Sequence, residues 1–278
     1  MTETQLPSQY QIPKIGLGTW FMGENKHYRQ QEVNAIRFGI EYGAKLIDTA
    51  EMYGEGEAEL ITGEAIQGYR EDLYLVSKFY PHNAGRKQVI AACERSLRRL
   101  NTDRLDLYLL HWRGSVPFEE TLEALFQLKR QGKIINYGVS NFDIDDLQEW
   151  CEFDQQGLCA TNQVLYNLNY READWSLKSF MESKQIALMA YCPLDQGRLL
   201  SHPVLCNLSE KYNVTPAQIA LGWLLQQGVI VIPKSMHIDR VKENIDSQKV
   251  HLDKDDLILL DQVFPKPKNA GQSRLQMR

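Results

Sequence analysis

Cysteine is scarce. The 278 residues carry five, namely Cys93, Cys151, Cys159, Cys192 and Cys206. No two form a C-x-x-C pair, and their spacing fits neither a zinc site nor a disulfide framework. A cytoplasmic, reducing compartment is the simple expectation. No apolar stretch approaches the ~18 residues of a membrane helix. The polar opening MTETQLPSQY has no signal core. Positive charge is short as well. The net charge is -5 and no long basic stripe offsets it, which argues against nucleic acid and anionic membrane as partners. A third glycine is missing from both candidate phosphate loops, Gly16-Leu17-Gly18-Thr19-Trp20 and Gly54-Glu55-Gly56-Glu57-Ala58-Glu59. A nucleotide, if bound, is therefore not held as in an open doubly wound sheet.

What the chain does have is alternation. Apolar runs that read as strands lie at 15–19, 45–50, 73–78, 105–111, 134–141, 158–164, 185–191 and 228–235. Segments with helical spacing separate them, at 30–43, 57–68, 86–101, 118–132, 143–153, 173–184 and 203–228, the last split by the helix-starting pair Thr215-Pro216. Residues 237–245 supply the eighth repeat helix and 252–263 a helix outside the repeat. Eight such units in this length predict an α/β fold, a single-domain (β/α)8 TIM barrel spanning 1–278. A small hairpin within 11–20 is expected to close its floor. The Pro-, Lys- and Gly-containing tail 265–278 is expected to be mobile.

Polar residues punctuate the strand ends. Asp48, Tyr53, Lys78 and His111 each follow an apolar run. Consecutive strands of such a repeat are parallel neighbours about 4.8 Å apart, so the four groups meet on one rim. A phenol, an ammonium, a carboxylate and an imidazole together suit proton transfer to a carbonyl. At about 4 Å and an effective dielectric of about 20, an ammonium stabilises a phenolate by about 4 kcal/mol. The Tyr53 phenol is therefore expected to be acidified, with Asp48 offsetting part of the effect. His111 reads as a donor that orients the substrate oxygen. Trp20, Tyr80 and Trp112 read as an aromatic wall that excludes water. Taken singly, Asp48 and Lys78 also fit a structural ion pair, Tyr53 a loop residue and His111 a core histidine. Lys78 also fits a Schiff-base lysine of a barrel aldolase. Their coincidence on successive strand ends favours an active site.

The motifs that carry these residues resemble those of the aldo/keto reductases. DTAEMYG (48–54) is similar to that family's Asp-Thr-Ala-x-x-Tyr-Gly element. LVSK (75–78) carries the lysine, LDLYLLHW (105–112) the histidine, and GVSNF (138–142) and IPKS (232–235) resemble cofactor elements. The resemblance runs along almost the whole chain, nearest to short bacterial methylglyoxal-reductase-like and diketogluconate-reductase-like members. It implies NADPH-dependent reduction of small aldehydes, ketones and α-dicarbonyls, with no metal. Asp48, Tyr53, Lys78 and His111 would be catalytic, with the proton coming from Tyr53. Ser140, Asn141 and Gln163 would hold the cofactor's carboxamide and Tyr191 would stack on its ring. Pro193, Leu194 and Gln196 would follow the pyrophosphate. Lys234, Ser235, Arg240, Glu243 and Asn244 would bind the adenosine end, and Gly18, Thr19, Trp20 and Asp48 would also touch the cofactor. A monomer is expected. A cofactor-binding sensor with little turnover is the other class the resemblance admits. Three departures stand out. Arg113 replaces a common proline, His237 replaces a common hydroxyl residue, and the segments after His111 and Tyr191 are short. Short lids imply an open pocket with broad carbonyl acceptance.

Overall fold

The computed structural model describes residues 3–5, 11–154, 156–269 and 274–277. Strands β1 (Glu3–Gln5) and β2 (Gln11–Pro13) pair antiparallel, Glu3 opposite Pro13. The hairpin therefore lies earlier than the expected 11–20, because its first strand comes from the polar opening segment. Ile12 is fully buried among the side chains that fill the barrel.

Among the described residues, eight parallel strands follow: β3 (Gly16–Gly18), β4 (Leu46–Asp48), β5 (Tyr74–Phe79), β6 (Leu105–Leu110), β7 (Ile134–Ser140), β8 (Cys159–Leu165), β9 (Ala187–Tyr191) and β10 (Ile230–Val231). They are hydrogen-bonded in chain order. The ring closes at a seam where Ile15 bridges Val231 and the Gly18 N–H donates to the Pro233 carbonyl at 3.2 Å. A Cβ on Gly18 would lie 2.6 Å from the Ile232 carbonyl oxygen, so only glycine lets the two ends approach this closely. β10 is shorter than the expected 228–235 because Pro233 has no N–H to give the ladder.

The helices are α1 (Arg29–Glu41), α2 (Glu57–Ala65), α3 (Arg86–Leu100), α4 (Phe118–Arg130), α5 (Ile144–Phe153), α6 (Leu177–Ser183), α7 (Pro203–Tyr212), α8 (Pro216–Gln226), α9 (Ile238–Asp246) and α10 (Lys254–Val263). α8 starts with a capping box, the Gln218 N–H donating to Thr215 Oγ1 and the Thr215 N–H to Gln218 Oε1. α6 is shorter than the expected 173–184. A separate 3-10 turn, Glu172–Asp174, precedes it, and Arg171 pins that turn through Asp174 at 2.7 Å and Asp261 of α10 at 2.6 Å.

Alternation along the strands creates two apolar regions. Leu46, Val76, Leu107, Leu109, Ala160, Met189 and Ile230 fill the barrel interior, each worth about 1.5–3 kcal/mol when a large side chain is fully buried. The other strand face packs under the helices in a larger core. Of the tail beyond Pro265, the Gln276 side chain donates to Glu172 at 3.0 Å. Residues 270–273 and 278 lie outside the described residues. No helix among the described residues is long and apolar enough to cross a membrane.

Candidate active site

The inward face of each strand turns polar as it leaves the apolar interior. Leu46 is followed two residues later by Asp48, Val76 by Lys78 and Leu109 by His111. β8 reaches the same rim by a different device. Between its pairs with β7, Tyr137 opposite Cys159 and Val139 opposite Asn162, β8 carries one extra residue. This bulge shifts the alternation, so that Ala160 faces the interior and Gln163 also turns inward to Asp48.

The Lys78 ammonium is fully buried. It donates to Asp48 Oδ2 at 2.7 Å, to the Thr49 carbonyl at 3.0 Å and to the Tyr53 hydroxyl oxygen at 3.1 Å. Its three N–H groups are thereby matched, and because an ammonium cannot accept, the Tyr53 O–H is left to donate elsewhere. Gln163 Nε2 donates to the second Asp48 oxygen at 2.7 Å. Tyr53 itself begins a 3-10 turn, Tyr53–Gly56, in which Gly54, Glu55 and Gly56 are all left-handed. This reversal tucks the phenol back over Lys78. The His111 ring meets the Tyr53 ring edge-on, centroids 5.8 Å apart.

Electrostatics follow burial. Desolvation raises Asp48 and lowers Lys78, while their mutual attraction opposes both shifts. Burial, then the Asp48 carboxylate, push Tyr53 well above the ordinary phenol value. The expected acidification is therefore overturned, chiefly because burial penalises the phenolate and secondarily because the Asp48 carboxylate stands near it. Burial and then Lys78 push His111 well below the usual imidazole value, so the ring is neutral. Its Nδ1 is buried with no hydrogen-bond partner. An orphaned acceptor is less costly than an orphaned N–H, which places the proton on Nε2.

Above these groups lies a cleft of about 810 Å³. Its walls include Gly18, Thr19, Trp20, Asp48, Ser140, Asn141, Gln163 and Tyr191, then Pro193, Leu194 and Gln196, and finally Lys234, Ser235, Arg240, Glu243 and Asn244. Asn141, itself at a left-handed φ of 59, ties this wall together. It donates to the His111 carbonyl at 3.1 Å and accepts from the Tyr191 hydroxyl at 2.9 Å. Lys234 and Arg240 are exposed and have no ion-pair partner among the described residues. Arg240 sits in the first turn of α9, where backbone N–H groups favour anions.

Trp20 lines the cleft, but Tyr80 and Trp112 do not. They form a rim behind His111 instead. The Tyr80 ring meets Trp112 edge-on at 5.9 Å, and Trp112 lies 5.0 Å from His111. Arg113 leaves that rim altogether, pairing with Glu149 at 2.8 Å and Asp146 at 3.5 Å on α5. Sequence reasoning missed Phe21, Met52, Cys192, Leu200 and Met236 as lining residues. Phe21, Met52, Leu200 and Met236 bear no ionisable group and Cys192 belongs to no sequence motif, so only the loop path brings the five in. Phe21 adopts a left-handed φ of 67 and stacks on Trp20 at 4.3 Å.

Lys78 has no exposed surface and does not line the cleft. It cannot attack a substrate carbonyl, which removes the Schiff-base reading. What the geometry does show is a buried cation under a phenol, beside a neutral imidazole. The sequence model of the Aldo/keto reductase family matches residues 14–264. The chain belongs to this family. This aldo/keto reductase is 47% identical over 279 residues to methylglyoxal reductase YeaE of Escherichia coli, spanning 98% of each chain. It is 36% identical over 257 residues to glyoxal reductase of Bacillus subtilis, covering 92% of this chain and 91% of that one. Among solved structures, the aldo-keto reductase from Klebsiella pneumoniae in complex with NADPH superposes with a TM-score of 0.96 at 44% identity, over 100% of this chain and 99% of the other.

Proposed function

We propose that this aldo/keto reductase uses NADPH to reduce small aldehydes, ketones and α-dicarbonyls such as methylglyoxal to alcohols. The observation that carries the reading is the Lys78 ammonium, held between Asp48 and the Tyr53 hydroxyl beneath a cleft whose far end carries unpaired cations. NADP-class chemistry fits these residues. Lys234, Ser235, Arg240, Glu243 and Asn244 would hold the adenosine end, Arg240 gripping a phosphate bidentately. Pro193, Leu194 and Gln196 would flank the pyrophosphate. Tyr191 would stack on the nicotinamide, with Gly18, Thr19 and Trp20 nearby. Gln163 commits its amide N–H to Asp48, which leaves its carbonyl oxygen, with Ser140 and Asn141, for a carboxamide. When bound, NADPH supplies the hydride.

The chain's own part is positioning and proton delivery. The substrate oxygen would sit between the Tyr53 O–H and the neutral His111 Nε2–H, and both donate to it. As negative charge develops on that oxygen, it takes on alkoxide character and becomes strongly basic. The Tyr53 O–H can pass its proton to such an oxygen as the charge forms, without being acidified in advance. Lys78 accommodates the phenolate that results, and Asp48 and Gln163 hold Lys78 in line. The open rim suits small and varied carbonyls. The enzyme would work as a cytoplasmic monomer.

The test is NADPH and NADH oxidation with methylglyoxal and a panel of aromatic aldehydes. Turnover with NADPH, faster than with NADH, is expected. Tight NADPH binding without turnover on any carbonyl would sink the reading in favour of a cofactor sensor.

A further inference from the structure

Between Asp48 and Tyr53 stands a carboxylate that does not line the cleft. Glu51 is 7% exposed. Its Oε1 accepts the Tyr80 backbone N–H at 2.9 Å and Asn83 Nδ2 at 2.7 Å. Its Oε2 faces Arg95 at 3.4 Å. The Glu51 N–H donates to the Lys78 carbonyl at 3.1 Å, and the Tyr53 N–H to the Ala50 carbonyl at 3.1 Å. The turn that carries the phenol is therefore fastened on two sides to the end of β5, which carries the lysine. Tyr80, the residue held by Glu51, is in turn packed edge-on against Trp112, which lies against His111.

We propose that Glu51 is a positioning residue for proton delivery. Through one carboxylate it sets the distance between the Tyr53 hydroxyl and Lys78, and it fixes the rim behind His111. The proposal rests on the reductase reading and adds a residue outside the cleft to its machinery. Removing the carboxylate leaves the backbone bond from Glu51 to the Lys78 carbonyl but releases Tyr80 and Asn83, and so loosens the β5–α3 loop against the 48–53 turn. The phenol then loses its defined place, while the cleft walls that Glu51 does not touch, from Ser140 and Asn141 round to Lys234 and Arg240, keep theirs.

The experiment compares full-length wild type, Glu51→Gln and Glu51→Ala. A misplacement near 1 Å costs about a hundredfold, so Glu51→Ala is expected to lower kcat for methylglyoxal by about 10- to 100-fold with the Kd for NADPH unchanged. Glu51→Gln keeps an oxygen that accepts from Tyr80 and Asn83, and is expected to restore most of kcat. A second readout needs no turnover. With ¹³Cζ-labelled tyrosine, the Tyr53 resonance, assigned by its absence in Tyr53→Phe, is expected to move or broaden in Glu51→Ala and to hold in Glu51→Gln. A wild-type kcat in Glu51→Ala, or equal losses in both variants with an unmoved Tyr53 resonance, overturns the proposal. If wild type turns over nothing, the reductase reading fails, and the resonance alone then decides on Glu51. Should Glu51→Ala not fold, Asn83→Ala removes one arm of the clamp. A fall in kcat with unchanged cofactor affinity supports the role, and an unchanged kcat overturns it.

Discussion

At the catalytic end of the cleft, Asp48, Lys78 and Gln163 are at most 1% exposed, and every N–H of Lys78 has an acceptor. At the far end, Lys234 and Arg240 are exposed and make no ion pair among the described residues. The first end is wired before any ligand arrives, in a low dielectric where a missing member is costly. The second is an array of charges in a screened medium, where each contact is replaceable. Chemistry and affinity are therefore separable by mutation.

The sharpest separation comes from Tyr53→Phe, which deletes the donor and leaves the ring. Turnover is expected to fall about 10²- to 10⁴-fold with NADPH affinity retained, and near wild-type kcat would show that another group delivers the proton. Lys78→Met strands the Asp48 carboxylate, and breaking such a buried pair costs about 3–5 kcal/mol. Urea unfolding should show that loss, with partial recovery of stability but not activity in Lys78→Met/Asp48→Asn. At the opposite end, Arg240→Ala gives up charged hydrogen bonds worth about 1.5–3 kcal/mol. Its Kd for NADPH should rise about ten- to a hundredfold and its Kd for NADH little, and equal weakening of both would detach Arg240 from a phosphate. Salt should act on the same end alone. As the screening length drops from about 30 Å at 0.01 M to about 3 Å at 1 M, NADPH binding should weaken while kcat at saturation holds.

The smallest expected effect is an absence of change with pH. His111 titrates well below the usual imidazole value, so it is already neutral at about pH 6.5. Tyr53 titrates well above the usual phenol value, so it stays protonated past about pH 10. A flat kcat across that interval is expected, and an inflection near pH 7 would place a charged imidazole in the mechanism.

The gathering of Asp48, Lys78 and His111 at one end of the cleft was legible in the sequence because these residues sit at strand ends in the barrel's own period. Asp48, Lys78 and His111 follow apolar neighbours two positions back, and alternation alone aims them at the rim. The electrostatic sign at Tyr53 was not legible. It depends on how completely the phenol is buried and on how near the Asp48 carboxylate stands to it, and neither is a property of spacing. Tyr80 and Trp112 stand on the expected rim but outside the cleft walls, since the path of the loop after β5 decides which way their rings turn. The cofactor walls were named through family resemblance. Their loops, with left-handed residues at Cys192, Asp195 and Gln196, follow no period that could reveal them.

The extra residue in β8 makes the polar wiring a matter of counting. Gln163 reaches Asp48 only because one added step along the strand exchanges inside for outside. Loss of a single position anywhere between Ala160 and Gln163 would send that amide toward the helices and strip the aspartate of its second donor, however faithfully every remaining side chain was kept. Drift by substitution can leave this circuit intact, whereas drift in strand length cannot.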